Sequence, residues 1–333
     1  MAERRLALFN CSSGVAGDMI LASLLDAGAS LDFVTKVLGE LDISGWSLDA
    51  RSVFRAGIRA TQVTVTVHDE RQTRSYADIV ALLERAPTPP LIKERSLRIF
   101  RKLAQVEATI HGMEVSDVHF HEVGGHDAII DIVGTAAALE DLGIDQIFTS
   151  PIAIGHGTVS TLHGTIPSPA PATIALLQGS EIVDSGLPLE LATPTGAAIL
   201  ATLSDPVAPL PPLRIEGQGF GAGARDLVDR ANVVQVILAT IEQTRKEYVA
   251  LLETTIDDVT GEQLSVALDS LLAAGALDAW AVPAEMKKRR SGFLVTVIAS
   301  PDSIDHLTHE LMRATGTLGV RSQLIARSVL DRE

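Results

Sequence analysis

Beyond Glu247 the hydrophobic pattern changes period in a fixed order that leaves few topologies open. Tyr248 to Thr254 reads as a strand, Gly261 to Leu272 as a helix, and Asp278 to Val282 and Phe293 to Ile298 as two further strands. Ser303 to Met312 then reads as a helix and Val320 to Leu330 as a strand. The order β-α-β-β-α-β predicts a ferredoxin-like module over residues 248–333. Glu242 to Glu247 (EQTRKE), the most polar stretch between two apolar strands, marks the boundary with a first domain, residues 1–241.

That first domain alternates the two periods less regularly. Arg5 to Phe9 is a short apolar strand, followed by the small-residue loop CSSGVAGDM and a helix that ends at Gly28. Thr61 to His68 alternates cleanly, as a strand with one buried face does, and helices are expected over Ala77 to Arg85 and Ile92 to His111. The fold class expected is a mixed α/β (α+β) body followed by the ferredoxin-like module.

Composition removes several functions. With 333 residues, 46% of them hydrophobic, the chain can bury a large core, and its net charge of −15 repels a phosphate backbone, so no nucleic-acid partner is expected. No apolar run approaches the ~18 residues of a membrane span, and LALF near the N-terminus is too short for a signal sequence. Cys11 is the single cysteine, which excludes an internal disulfide and a multi-thiolate metal site within one chain. A soluble, cytoplasmic protein is expected.

Val118 to Gly134, VHFHEVGGHDAIIDIVG, gathers three of the chain's nine histidines, one glutamate and two aspartates around a Gly-Gly turn. Imidazole mixed with carboxylate suits a divalent metal. His119 and His121 project from one face of an extended segment, with Glu122 beside them, and Asp127 and Asp131 share one face of the following helix. Like charges at i and i+4 cost a helix roughly 0.2–0.5 kcal/mol, which favours a cation between them. Asp127 is also placed to cap the helix, with the histidines as half-buried strand residues.

Four other segments carry candidate chemistry. Ser12 to Asp18 joins a strand to a helix, so Ser13 and Gly14 are placed to hold a phosphate or carboxylate and Asp18 a cation; an ordinary tight turn accounts for it equally. Gly217, Gly219 and Ala222 match G-x-G-x-x-A, but no helix follows, which argues against a dinucleotide site and leaves a glycine loop ending at Arg225 and Asp226. Thr193-Pro194-Thr195-Gly196 reads as a helix start whose small residues permit close approach. Asp257 and Asp258, together with the basic run Lys287 to Arg290, supply carboxylate and ammonium groups of the kind a metal-bound nucleoside triphosphate needs, or else a cap and a solvated turn.

Together SSGVAGDM, GIRAT, VHFHEVGGHDAIIDIVG, GTIPSPAPAT, LATPTGAA, ETTIDDVTGE, MKKRRSG and TGTLGVRSQLIARSVLDRE, in this order, resemble the LarC family of nickel-insertion proteins. The resemblance implies a CTP-dependent cyclometallase (a lyase in class) that places Ni²⁺ in pyridinium-3,5-bisthiocarboxylic acid mononucleotide, completing the nickel-pincer cofactor of lactate racemase. It assigns the nucleotide and its Mg²⁺ or Mn²⁺ to Asp257, Asp258, Lys287 and Lys288. Nickel handling or acid-base work falls to His119, His121, Glu122, Asp127 and Asp131, and the Ser12 to Asp18 loop to the substrate phosphate or a cation. Implied partners are the thiolated pyridinium mononucleotide, CTP, lactate racemase or other cofactor-maturation proteins, and a second copy of the chain in a homo-oligomer.

The chain departs from the family pattern at Asn10, Thr255, Arg289 and Ser291, and it retains only His68 of a histidine-rich tract. The resemblance also implies a further segment beyond Glu333. A non-catalytic nickel carrier and a metal-dependent phosphohydrolase or nucleotidyltransferase are the competing expectations.

Overall fold

The computed structural model describes residues 3–67, 74–120, 125–161, 164–204, 213–242 and 245–329. The chain divides into two compact units, 3–241 and 242–333 with the first two residues. In the first unit the elements run β1 (Glu3–Asn10), α1 (Gly17–Asp26), α2 (Leu31–Gly39), β2 (Trp46–Arg55), β3 (Ile58–Val67), β4 (Arg74–Ser75), α3 (Tyr76–Arg85) and α4 (Pro90–His111). They continue with β5 (His119–Phe120), α5 (His126–Asp141), β6 (Gln146–Thr149), β7 (Ile152–Ile154), β8 (Gly157–Thr161) and β9 (Gly164–Ser168). α6 (Pro171–Leu176), β10 (Ile182–Asp184), α7 (Pro194–Leu203), β11 (Arg214–Ala222) and β12 (Val233–Glu242) complete the unit.

A six-stranded sheet ordered β2-β3-β11-β12-β1-β6 organises this unit. β2 and β3 form an antiparallel hairpin, β3 runs parallel to β11, β11 antiparallel to β12, and β1 parallel to β6. The hairpin turns at Ala56 and Gly57, both at positive φ (46° and 83°), the left-handed pair that matches the twist of the flanking strands. α5 is apolar nearly all round, with Ala128 to Ile130 and Ile132 to Leu139 buried; such a helix belongs in the interior. It packs against α1, α2 and α4.

The glycine-rich stretch that leaves no helix behind it is a strand, β11, pressed against α1. A Cβ on Gly221 would stand 1.9 Å from Met19 O, and one on Gly219 would stand 2.2 Å from Ser23 O. The glycines therefore serve helix-on-sheet contact and not a ligand loop. Asp26 anchors the same crossing by accepting from Phe220 N (2.9 Å) and from Thr61 Oγ1 (2.8 Å). At the end of the stretch Asp226 faces Arg55 at 3.4 Å, while Arg55 also donates to Gly223 O.

The second unit contains β13 (Arg245–Ile256), α8 (Gly261–Ala273), β14 (Asp278–Met286), β15 (Arg290–Ala299), α9 (Ile304–Thr315) and β16 (Arg321–Val329). The order is the β-α-β-β-α-β read from the sequence. Its sheet runs β14-β15-β13-β16, antiparallel throughout. α8 opens with a capping box in which Thr260 and Gln263 exchange hydrogen bonds. The core of this unit, including Leu252, Leu271, Val297, Leu307 and Leu311, is its own. Among the described residues no helix is long and apolar enough to cross a membrane.

Candidate functional site

Three motifs far apart in sequence meet at the first residue of α1. A Cβ on Gly17 would stand 2.5 Å from Asp131 Oδ2 and 2.8 Å from Thr195 Cγ2. Only glycine lets the start of α1, the second turn of α5 and the start of α7 close on one point. The loop before α1 is stitched to the segment before α7: Val15 N donates to Leu191 O (2.8 Å) and Thr193 N to Val15 O (2.9 Å). Thr193 caps α7 by accepting from Gly196 N, with Pro194 in the first turn.

Asp131 is the group at the centre. Although the residue as a whole retains some surface, its Oδ1 is sealed from solvent and has no hydrogen-bond partner. Burial, then the charges of Asp18 and Asp127, push its pKa well above the ordinary aspartate value, while a hydrogen bond from the Asp18 backbone opposes the shift. Asp18 is also raised, chiefly by burial, and accepts from Met19 N at 2.8 Å. Asp127 is exposed in the first turn of α5, whose N-cap residue, Gly125, offers no side chain. Three carboxylates within electrostatic reach, one of them with a sealed and unpaired oxygen, repel one another until a proton or a cation intervenes. The partial positive charges at the N-termini of α1, α5 and α7 offset part of that repulsion.

Not every expected member joins this group. His121 and Glu122 lie outside the described residues, as do His68 and His163. His119 is exposed on β5, in register with Ser75, and helps hold the Asp78 carboxyl low after the stronger effect of Ser75's hydrogen bonds. Among the described residues no three His, Cys, Asp or Glu side chains stand close enough to hold a metal ion.

Around Ser13 and Gly14, expected to hold a phosphate or carboxylate, several backbone donors are engaged within the protein. Ser13 is buried, Gly14 N donates to Cys11 O (3.0 Å), Val15 N to Leu191 O, and Ser12 N to Asn10 Oδ1 (3.2 Å). Three backbone donors of the loop, at Ser12, Gly14 and Val15, are thus engaged within the protein. Gly14, at φ 96°, is glycine because a Cβ would stand 2.2 Å from Leu191 O. Asn10 also donates to Gln235 Oε1 (3.3 Å), and Gln235 to Gln218 Oε1 (2.7 Å). Burial pushes the Cys11 thiol up to about 12, so it remains protonated at neutral pH and offers no thiolate to a metal.

His126 was not singled out by sequence reasoning as a ligand-contacting group, and Thr195 only as part of the Thr193 to Gly196 helix start whose small residues permit close approach. His126 is buried at the first position of α5, with Nε2 3.3 Å from Arg74 Nη2. A guanidinium has only protons to give, so this contact makes Nε2 the acceptor and puts the ring proton on Nδ1.

In the second unit, Asp257 and Asp258 follow the end of β13, where Ile256 pairs with Phe293 near the start of β15. Lys287 to Arg289 turn from β14 into β15 at that same end of the sheet. Both acids and all three bases are exposed, and Arg290 Nη1 reaches Asp257 Oδ2 at 3.2 Å. Lys288 and Arg289 both hold left-handed backbone, φ 63° and 61°, a conformation that costs a non-glycine residue about 1 kcal/mol or more.

A family model described as nickel insertion protein matches residues 7–333. The pyridinium-3,5-bisthiocarboxylic acid mononucleotide nickel insertion protein of Geobacillus kaustophilus is 38% identical, over 99% of this chain and 85% of that protein. The protein of the same name from Staphylococcus saprophyticus is 40% identical over 97% of this chain and 83% of its own length. Among solved structures, LarC2, the C-terminal domain of a cyclometallase involved in synthesis of the NPN cofactor of lactate racemase, matches 26% of this chain and 61% of its own. That match has 36% identity and a TM-score of 0.26. The ordered motifs, the family match over nearly the whole length and the two full-span relatives place this chain in the nickel insertion protein family.

Proposed function

We propose that this chain inserts Ni²⁺ into pyridinium-3,5-bisthiocarboxylic acid mononucleotide, as a CTP-dependent cyclometallase that completes the nickel-pincer cofactor of lactate racemase. The observation that carries the reading is the sealed, unpaired Asp131 Oδ1 where the second turn of α5 meets the starts of α1 and α7, within electrostatic reach of Asp18 and Asp127. Nickel is the cargo. Asp131, with Asp18 beside it, receives it, and Asp127 closes on the ion only as it binds, since the three do not stand within joint reach of one ion in this structure; His119 and, outside the described residues, His121 and Glu122 are assigned to nickel handling and acid-base work. Forming the nickel-carbon bond breaks a ring C–H bond, whose electron pair goes to nickel and whose proton goes to a base; nickel stays divalent. Asp127 or His119 is the acceptor assigned to that proton, and the buried carboxylates replace nickel's water shell as it is lost.

We further propose that residues 248–333 form a ferredoxin-like nucleotide module. Asp257 and Asp258 would hold Mg²⁺ or Mn²⁺, and Lys287 and Lys288 the CTP phosphates. A hard cation needs only one or two carboxylates when phosphates complete its shell, which suits this donor set. When bound, the metal neutralises phosphate charge. Arg290 holds Asp257 at the sheet end and would yield it to the cation.

The test is incubation of the purified chain with the thiolated mononucleotide, Ni²⁺ and Mg-CTP, read by mass spectrometry of the nickel pincer. Product that requires CTP supports the proposal. Nickel binding with no CTP turnover identifies a carrier instead, and CTP hydrolysis independent of nickel and mononucleotide identifies a phosphohydrolase.

A further inference from the structure

A cavity of about 580 Å³ opens beside the Ser12 loop, and no residue assigned to nickel or CTP lines it. Asn10 ends β1, Ser150 follows β6, and Asp184 ends β10. β1 and β6 are parallel neighbours, as are β7 and β10. The cavity thus lies outside the carboxyl ends of parallel strands, where α/β sheets take their ligands. Its volume is in the range of small-molecule sites.

Its lining divides by chemistry. Arg230 is the cation, Asp184 the carboxylate, Ser12 and Ser150 bring hydroxyls, and Pro151 and Val183 bring apolar surface. Arg230 is oriented from behind: Nε and Nη2 donate to Asp229 (3.2 and 2.8 Å), and Nη2 also donates to Ser185 O (3.2 Å). Those bonds hold the guanidinium and engage two of its three nitrogens. Asp184 Oδ1 accepts from Gly186 N (2.9 Å), leaving Oδ2 without a hydrogen-bond partner among the described residues.

We propose that this cavity binds the mononucleotide substrate, with Arg230 on the 5′-phosphate, Asp184 on the ribose hydroxyls, and Pro151 and Val183 against the pyridinium ring. The proposal rests on the nickel-insertion reading for the identity of its ligand. The complementarity is threefold: a guanidinium for a phosphate, a carboxylate that accepts from a diol, and an apolar wall for a planar ring. The carboxylate of Asp184 in the lining also favours a ring that carries positive charge.

Nicotinic acid mononucleotide is the probe, titrated calorimetrically into the full chain, with the corresponding riboside as a phosphate-free control. The wild-type chain should bind the mononucleotide more tightly than the riboside. Arg230→Ala should weaken mononucleotide binding roughly 10- to 100-fold and leave the riboside unaffected. Asp229→Asn, which frees the guanidinium from its present partner, should tighten it, and Val183→Trp should block both ligands by filling the cavity. Equal binding of mononucleotide by wild type and Arg230→Ala, a riboside that binds as well as the mononucleotide, or no wild-type binding overturns the proposal. If Arg230→Ala proves unfolded by circular dichroism, the opposite shift of Asp229→Asn and the block by Val183→Trp decide it. Nickel insertion measured alongside separates the two readings: insertion with an unchanged KM in Arg230→Ala removes the cavity and keeps the function. Binding that depends on Arg230 without insertion keeps the cavity and removes the function.

Discussion

Asp131 carries a cost to the fold that its proposed role in nickel handling would account for. A carboxyl whose folded pKa is raised binds its proton more firmly in the folded state than in the unfolded one. Its contribution to stability is therefore full below the unfolded value of about 3.9 and is lost as pH rises through the raised folded value. Asp18 acts in the same direction. The metal-free chain should thus melt at a lower temperature at pH 8 than at pH 5, and Asp131→Asn should flatten that slope. The same substitution should stabilise the metal-free chain by roughly 1–3 kcal/mol at pH 8, because it keeps the shape and removes a buried charge. It should also abolish nickel insertion. Denaturant titration with and without Ni²⁺ checks both, and an Asn variant less stable than wild type at pH 8 contradicts the account. In the sequence, Asp131 was visible through its i, i+4 spacing to Asp127 and Asp18 through its place after a small-residue loop. Arg230 was not, because only the tertiary fold brings the β11–β12 connection beside the ends of β1 and β10.

Among elements, β11 shows why sequence reasoning stopped short. Gly217, Gly219 and Gly221 lower strand propensity, so the segment reads as a loop. Its strand character comes from the neighbours β3 and β12 on either side and from a helix backbone laid on it. Gly221→Ala should destabilise the first unit by about 3 kcal/mol, since Met19 O is backbone and cannot swing away. Gly217→Ala, with nothing within 4 Å of its Cβ, should be nearly neutral. Urea unfolding of the two variants makes the comparison. The elements after Glu247 were legible because each carries one clean period, capped by local signals such as Thr260 and Gln263. α5 was legible as a helix but not as a central one, since its few acidic side chains suggest a solvent face that the buried stretch Ile132 to Leu139 does not have.

Across the whole molecule, a net charge of −15 surrounds one short run of four bases at 287–290. An exposed basic turn in an acidic protein attracts a polyphosphate against the general field, and such attraction is screened by salt. CTP affinity should therefore fall as NaCl rises from 50 to ~300 mM, and Asp257→Asn should weaken the Mg²⁺-dependent part of binding while leaving the salt slope intact. Calorimetry at several ionic strengths separates the two effects. The same turn holds two consecutive side chains in a backbone shape that glycine would adopt freely. Lys288→Gly should raise the melting midpoint of the second unit, worth on the order of 0.5–1 kcal/mol, and lower CTP affinity in the same variant. The hairpin then marks a position where an easy gain in robustness has been left unclaimed, and a thermostabilising screen that ignores CTP would be drawn to it first.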